Sequence, residues 1–136
     1  MEKDNNVTKV FMDFLNSYNE CFYKKDLEKL KTFYNINNNK LVFFDNHKGN
    51  DTYTVEEHLK LISEFFTKGK STESGDVEKL IIENINIFNT ENAGCICFIA
   101  KYKSFPEPSM RCTYYIEKIN NELKILHAHA SFKPNK

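Results

Sequence analysis

The sequence predicts a single α+β domain in which a curved antiparallel sheet wraps around helices and closes into a cone. Three observations carry this. Apolar residues recur at helical spacing through the first part of the chain, four long alternating segments fill the second half, and the gaps between the outer pairs of those segments are short enough for hairpins. The 136 residues are enough for one hydrophobic core and too few for two, so one domain over residues 1–136 is expected.

Val7, Val10, Phe11, Phe14, Tyr18, Cys21 and Phe22 mark the inward stripe of a first helix over 7–24. Asp26 has the side chain of an N-cap and predicts a short second helix over 27–34, with Leu27, Leu30, Phe33 and Tyr34 inward. An asparagine-rich connection, 35–39, leads to a strand over 41–44 that ends at Asp45, and a turn over 47–51 follows. Thr54 and Glu57 have the spacing of a capping box. They open a third helix over 55–66 with Leu59, Ile62, Phe65 and Phe66 at core spacing, and the polar stretch 69–75 predicts a mobile loop.

Strands are predicted over 77–88, 94–103, 110–119 and 123–132, giving the order ααβαββββ. Residues 90–93 and 120–122 are hairpin turns. Phe105-Pro106-Glu107-Pro108 interrupts the ladder between the middle pair, because proline cannot donate to it. Alternation in the last strand puts His127, His129 and Ser131 on one face and Leu126, Ala128 and Ala130 on the other.

Lys plus Arg equals Asp plus Glu, so no net charge draws the chain to nucleic acid or to an anionic membrane, and near-neutrality favours self-association. No apolar run is long enough to span a bilayer, and the polar opening Met1 to Asn6 does not read as a secretory signal. The expectation is a cytoplasmic protein with reduced Cys21, Cys95, Cys97 and Cys112. Cys95 and Cys97 share a strand face and could neighbour Cys112, but small buried hydrophobes are the simpler reading of these thiols. There is no glycine-rich phosphate loop, no His-Glu-x-x-His pattern and no motif around a serine or cysteine nucleophile, so no cofactor is expected.

The element order, the helix start Lys25-Asp-Leu-Glu-Lys-Leu30, and Arg111-Cys-Thr113 followed by Ile125-Leu-His-Ala-His-Ala-Ser131 resemble the NTF2-like (cystatin-like) superfamily. The nearest likeness is to its SnoaL-like, DUF4440-type members and to the association domain of calcium/calmodulin-dependent kinase. It covers nearly the whole chain, although Leu123 stands where those sequences usually have Trp. The resemblance implies a cavity between sheet and helices and a homodimer formed through the sheet. It leaves the reaction open, since the superfamily holds isomerases, cyclases, dehydratases, transport factors and assembly modules.

Against the ketosteroid-isomerase-like branch, Tyr18 stands at the place of the oxyanion tyrosine and Asp45 at the place of the carboxylate base, while the second oxyanion acid is missing and Thr113 or Tyr115 falls near its position. Both matches also have a plain structural reading, as a core tyrosine and a strand-ending turn residue. Against the kinase association domain, His58 matches a pocket histidine, but Ala100, Tyr114 and Ala130 replace the pocket arginines. The wall of Phe98, Ala100, Cys112, Tyr114, Leu126, Ala128 and Ala130 is then apolar and built partly from small residues, suiting a flat hydrophobic ligand or a filled core. His127 and His129, roughly 7 Å apart along their strand, would need a third ligand such as Glu117 to hold a metal. The resemblance turns their face, with Arg111, toward a partner subunit. The expected protein binds a small apolar molecule, with Asp45, Tyr18 and His58 as the groups for any catalysis. The alternative is a non-catalytic assembly module.

Overall fold

The structure, a computed structural model, describes residues 2–45, 51–68, 78–104 and 106–132. The turn at 47–50, the loop at 69–75, Val77 and Phe105 lie outside the described residues. The elements are α1 (Glu2–Tyr23), α2 (Leu27–Lys31), β1 (Lys40–Asp45), β2 (Thr52–Thr54), α3 (Val55–Lys68), β3 (Leu80–Asn89), β4 (Ala93–Tyr102), β5 (Met110–Ile119) and β6 (Glu122–Phe132). They form one six-stranded sheet in the order β2-β1-β6-β5-β4-β3. Every neighbouring pair is antiparallel except β1 and β6, which run parallel with Val42 opposite His127 and Asp45 opposite Ala130.

The α+β cone and the meander of four long strands therefore match expectation, with one element added. β2 is only three residues long and pairs with β1 just before α3. So short a strand carries no readable alternation.

Local chemistry fixes the joints. Asp26 accepts a hydrogen bond from Lys29 N at 3.1 Å and caps α2. Thr54 Oγ1 accepts from Glu57 N at 3.0 Å, and Glu57 Oε1 reaches back to Tyr53 N at 2.9 Å, so the capping box opens α3 one residue wide of the usual closure. Asn39, in the left-handed region at φ 57°, adds a second clamp by accepting from Val55 N and Glu56 N. Asn120 and Asn121 both take positive φ in the two-residue hairpin between Ile119 and Glu122, as a type I′ turn demands.

On α1 the buried stripe is Phe11, Leu15, Tyr18 and Cys21. One expected member falls outside it: Val10, a residue out of phase with Phe11, lies half exposed, while Leu15, a turn after Phe11, is buried. The helix crosses the β3–β4 end of the sheet, where Thr8 Oγ1 donates to Asn89 Oδ1 and Asn19 Nδ2 donates to Leu80 O. α3 instead leans on β1: Val55, His58, Ile62 and Phe66 are buried, and the His58 ring stacks on Phe43 with centroids 4.5 Å apart. Phe22 and Phe66 meet edge to face and join the two helices over the sheet.

Two irregularities reset the strand alternation. β3 shifts register between Glu83 and Asn86, with Asn84 at φ 55°, so the inward set changes from Leu80 and Ile82 to Ile85 and Ile87. β6 shifts where Tyr115 and Ile116 of β5 face His127 and Ile125, leaving Leu126 as the extra residue. Ile125 takes the inward position, fully buried, and its N–H donates to Phe33 O at 2.8 Å.

Gly94 allows α1 its close approach. A Cβ there would lie 2.7 Å from Cε1 of Phe11 and 2.8 Å from Cβ of Asn89. We expect Gly94→Ala to destabilise the fold by about 1–3 kcal/mol, with part of that cost removed in a Phe11→Leu background, because two of the three short contacts are to the Phe11 ring while the one to Asn89 Cβ stays. Urea denaturation of the two single variants and the double variant measures the coupling; equal costs in both backgrounds would refute the contact as the cause.

Candidate functional site

A cavity of about 280 Å³ lies between α1, α3 and the inner face of the sheet. Register explains which side chains reach it. One inward row crosses four strands as Asp45, Ala130, Cys112 and Phe98, and the adjoining row runs Phe43, Ala128, Tyr114 and Ile96. Because residue 130 is alanine, its small side chain leaves open space between the Asp45 carboxylate and the Cys112 thiol, which stand about 10 Å apart at the backbone. Asp45 is held at the end of β1, where its N–H donates to Asp51 Oδ1 at 3.0 Å.

Tyr18, Asp45, His58 and Tyr114 all line this one cavity, together with Phe98, Cys112 and Ala130. Three residues expected on the wall do not. Ala128 is fully buried between Phe43 and Tyr114, whose rings stand over it. Ala100 is fully buried between Ile82 and Met110, which reach the cavity in its place. Leu126 is thrown out of phase by the β6 bulge and contributes neither to the wall nor to the buried core.

The polar groups at the base form a chain. The Tyr114 and Tyr18 hydroxyls are 3.4 Å apart, Tyr18 and Tyr34 are 2.9 Å apart, and Tyr34 is 3.0 Å from His58 Nε2. All four side chains are buried. Tyr34 is the member that periodicity placed inward without a role. Its hydroxyl is positioned by the segment after α2, where Tyr34 bridges in parallel to Ile125, and an inward tyrosine needing a hydrogen-bond partner was the available signal.

Burial sets the protonation of this chain. Desolvation pushes the Tyr18 phenol up to about 12 and holds Tyr34 and Tyr114 well above the usual phenol range, so all three carry their hydrogens at neutral pH. Desolvation lowers His58 to about 4, so its ring is neutral. The Cys112 thiol rises to about 12, through burial first and the negative charge of Asp45 second, and is no thiolate nucleophile. The arrangement offers protonated hydroxyls and a neutral imidazole in an apolar enclosure, with a carboxylate at the next row.

The opposite face of the sheet carries Arg111, His127 and His129 away from the cavity. His127 Nδ1 lies 2.8 Å from the carbonyl of Val42, a geometry in which the ring nitrogen donates. Phe44 meets both histidines edge on and is exposed. Glu117, the third ligand a metal here would need, accepts instead from the Tyr115 hydroxyl on its own strand, and no cluster of three or more metal-ligating side chains occurs among the described residues.

No protein-family model matches the chain, and no curated protein matches it in sequence. Solved structures do match in fold. A protein of unknown function of the DUF3225 family from Pectobacterium atrosepticum superposes with a TM-score of 0.75 at 15% identity, over 95% of this chain and 92% of its own. An NTF2-like protein of unknown function from Shewanella oneidensis gives 0.72 at 20% identity, over 91% and 98%. A chain from Xanthomonas campestris, assigned as a calcium/calmodulin-dependent protein kinase II association domain, gives 0.68 at 15% identity, over 93% and 87%. The chain has the NTF2-like fold. Among the described residues no helix is long and apolar enough to cross a membrane.

The lowered His58 value has a consequence for stability. Above pH 6.5 the histidine is neutral in both folded and unfolded chains and contributes no pH dependence. Between pH 6.5 and about 4 the unfolded chain takes up a proton that the folded chain refuses. Stability therefore falls with pH across that window, by up to about 3 kcal/mol from this group. Urea denaturation of the protein and of His58→Phe at several pH values isolates the contribution as the difference between their slopes; parallel curves would show that His58 charges as readily folded as unfolded.

Proposed function

We propose that this chain binds a compact, mainly apolar carbonyl compound in its cavity and moves a proton on the carbon beside that carbonyl. The hydroxyl chain ending at Tyr114 supports this reading most directly. A developing oxyanion in an apolar enclosure gains most from hydrogen-bond donors already in position, and these phenols are held protonated by burial. Asp45 is the general base in this reading. Its row across the sheet brings a carboxylate beside the cavity wall on the same inward face as Tyr114. Tyr114, backed by the Tyr18 hydroxyl, takes the donor role that a second carboxylic acid fills in the ketosteroid-isomerase-like branch.

The walls fit the ligand class. Phe98 and Tyr114 are stacked with an interplanar angle of 20°, and Phe22, Ile62, Phe65 and Leu80 add apolar surface. Phe65, which periodicity assigned to the core, is 38% exposed and stands at the rim. Among the described residues no lysine or arginine lines the cavity, which disfavours a carboxylate or phosphate ligand.

A simple ketone such as acetophenone tests both halves. Binding followed by titration NMR should weaken about fivefold in Tyr114→Phe, the worth of roughly one hydrogen bond. Exchange of the ketone methyl hydrogens with D₂O should be faster with the protein than in buffer and should drop about 100-fold or more in Asp45→Asn while binding survives. Exchange that is identical with Asp45→Asn removes the base; absence of any binding removes the cavity reading altogether.

The second reading, assembly without chemistry, is supported by the outer sheet face, where Phe44 is 37% exposed against His127 and His129 and Phe88, on the edge strand β3, is 67% exposed. In this reading two copies pack through that face as a homodimer. Light scattering should then give twice the chain mass, and Phe44→Asp should return it to the monomer value; a monomer at every concentration excludes it.

A further inference from the structure

We infer that His58, whose Nε2 is engaged by the Tyr34 hydroxyl, sets whether Tyr114 offers the cavity a hydrogen or a lone pair, and so couples its own tautomer to the oxygen of the bound molecule. The inference rests on the cavity binding proposed above. It comes from counting hydrogens along the buried chain.

The chain has three contacts: Tyr114 to Tyr18, Tyr18 to Tyr34, and Tyr34 to His58 Nε2. Each contact uses one hydrogen, and each hydroxyl supplies one. When His58 carries its hydrogen on Nδ1, Nε2 is an acceptor. Tyr34 then donates to His58, Tyr18 to Tyr34, and Tyr114 to Tyr18. All three hydrogens are consumed, and what faces the cavity at Tyr114 is an oxygen lone pair. When the hydrogen sits on Nε2, the imidazole donates to Tyr34 and every bond reverses. Four hydrogens now serve three contacts, and the surplus emerges on Tyr114, aimed at the ligand.

A ligand with an acceptor oxygen is therefore served at no loss only in the Nε2–H state. In the other state Tyr114 can donate to it only by giving up its contact with Tyr18. A ligand hydroxyl that donates is served in the Nδ1–H state. The coupling requires that the ring be neutral, since an imidazolium would carry both hydrogens; burial holds the ring neutral at ordinary pH. It also requires that the intermediate hydroxyls have no competing partners. Tyr34 is 1% and Tyr18 5% exposed, and among the described residues the side-chain hydrogen bonds of both hydroxyls run along the chain. The His58 ring is held against rotation by its stack on Phe43 and its edge contact with Tyr34, so the switch is one of hydrogens and not of side-chain positions.

The consequence is a positioning role for His58 and Tyr34 in selecting ligand chemistry from the far side of Tyr18. Nitrogen-15 NMR of the histidine-labelled full chain reads the tautomer directly, because protonated and unprotonated ring nitrogens differ widely in shift. The probes are acetophenone, which has an acceptor oxygen, and ethylbenzene, which has the same apolar body without one. Acetophenone should shift the His58 population toward Nε2–H by about threefold to tenfold, the equivalent of one hydrogen bond. Ethylbenzene should bind without that shift. In Tyr34→Phe the chain is cut, so Tyr18 and Tyr114 keep a spare hydrogen whatever His58 does; acetophenone should still bind, and the tautomer response should vanish. A purely structural histidine would respond to both probes or to neither. Binding of both probes with an unchanged tautomer, or a response that persists in Tyr34→Phe, overturns the coupling and leaves the cavity reading intact. Failure of both probes to bind overturns the cavity reading and the coupling with it.

Discussion

The Tyr18 hydroxyl is the constraint on which the rest of this structure depends. It sits in the last third of α1, inside an apolar core, and reaches Tyr34 after α2 and Tyr114 on β5. A buried hydroxyl without a partner would cost about 1–3 kcal/mol, so the three tyrosines hold one another in place. The two bonds of Tyr18 fix the depth at which α1 packs on the sheet. Its ring is edge on to Phe22, Phe33, Tyr34 and Tyr114, and these contacts seat the helix laterally as well. The cavity lies beside the three tyrosines, bounded by the side chains that α1 and α3 cannot bring closer.

Much of the fold was legible in the sequence because its signals are local. Asp26, Thr54 with Glu57, and the Asn120–Asn121 pair name their own joints, and the helical stripes and strand lengths follow from spacing. What was not legible is long-range. The parallel pairing of β1 with β6 depends on how the sheet curls back, and no residue in either strand announces it. The bulges at Asn84 and Leu126 were hidden for the same reason. Strict alternation assigned Leu126 inward, but the neighbouring strand and the Phe33 carbonyl draw Ile125 in and displace it. A one-residue shift exchanges the two faces of a strand, so an error of this kind changes a site assignment completely while leaving the strand prediction intact.

Small residues misled in a related way. Ala100 and Ala128 read as open wall, yet an alanine between two large neighbours on adjacent strands is covered by them. Tyr114 and Phe43 close over Ala128, and Ile82 and Met110 over Ala100. Ala130 differs because one of its flanking residues is Cys112 and the other is the short Asp45, and neither can cover it. The same alanine in the same strand is a floor in one place and a window in another, according to the volume of its cross-strand partners. Of the candidate site, Tyr18, Asp45, His58 and Tyr114 could be drawn from the sequence as separate polar residues; that Tyr34 joins Tyr18 to His58 could not, because it requires the crossing of α1 over the end of α2.

Burial is the main force on the three tyrosine hydroxyls, on His58 and on Cys112, and it drives each of them toward its neutral form. Neutral hydroxyls in a low-dielectric site are modest binders of a neutral ketone but respond strongly when negative charge develops on its oxygen, since little solvent is present to compete. Such a site discriminates between a carbonyl and its enolate more than it discriminates between ligands of similar shape. A base for such a molecule belongs beside its carbon and the hydroxyls beside its oxygen. In the proposed reading the pleat of the sheet meets that demand: Asp45 stands on β1 one inward row from Tyr114 and two strands across from it, at positions set by the register of β1, β6 and β5 and not by a loop.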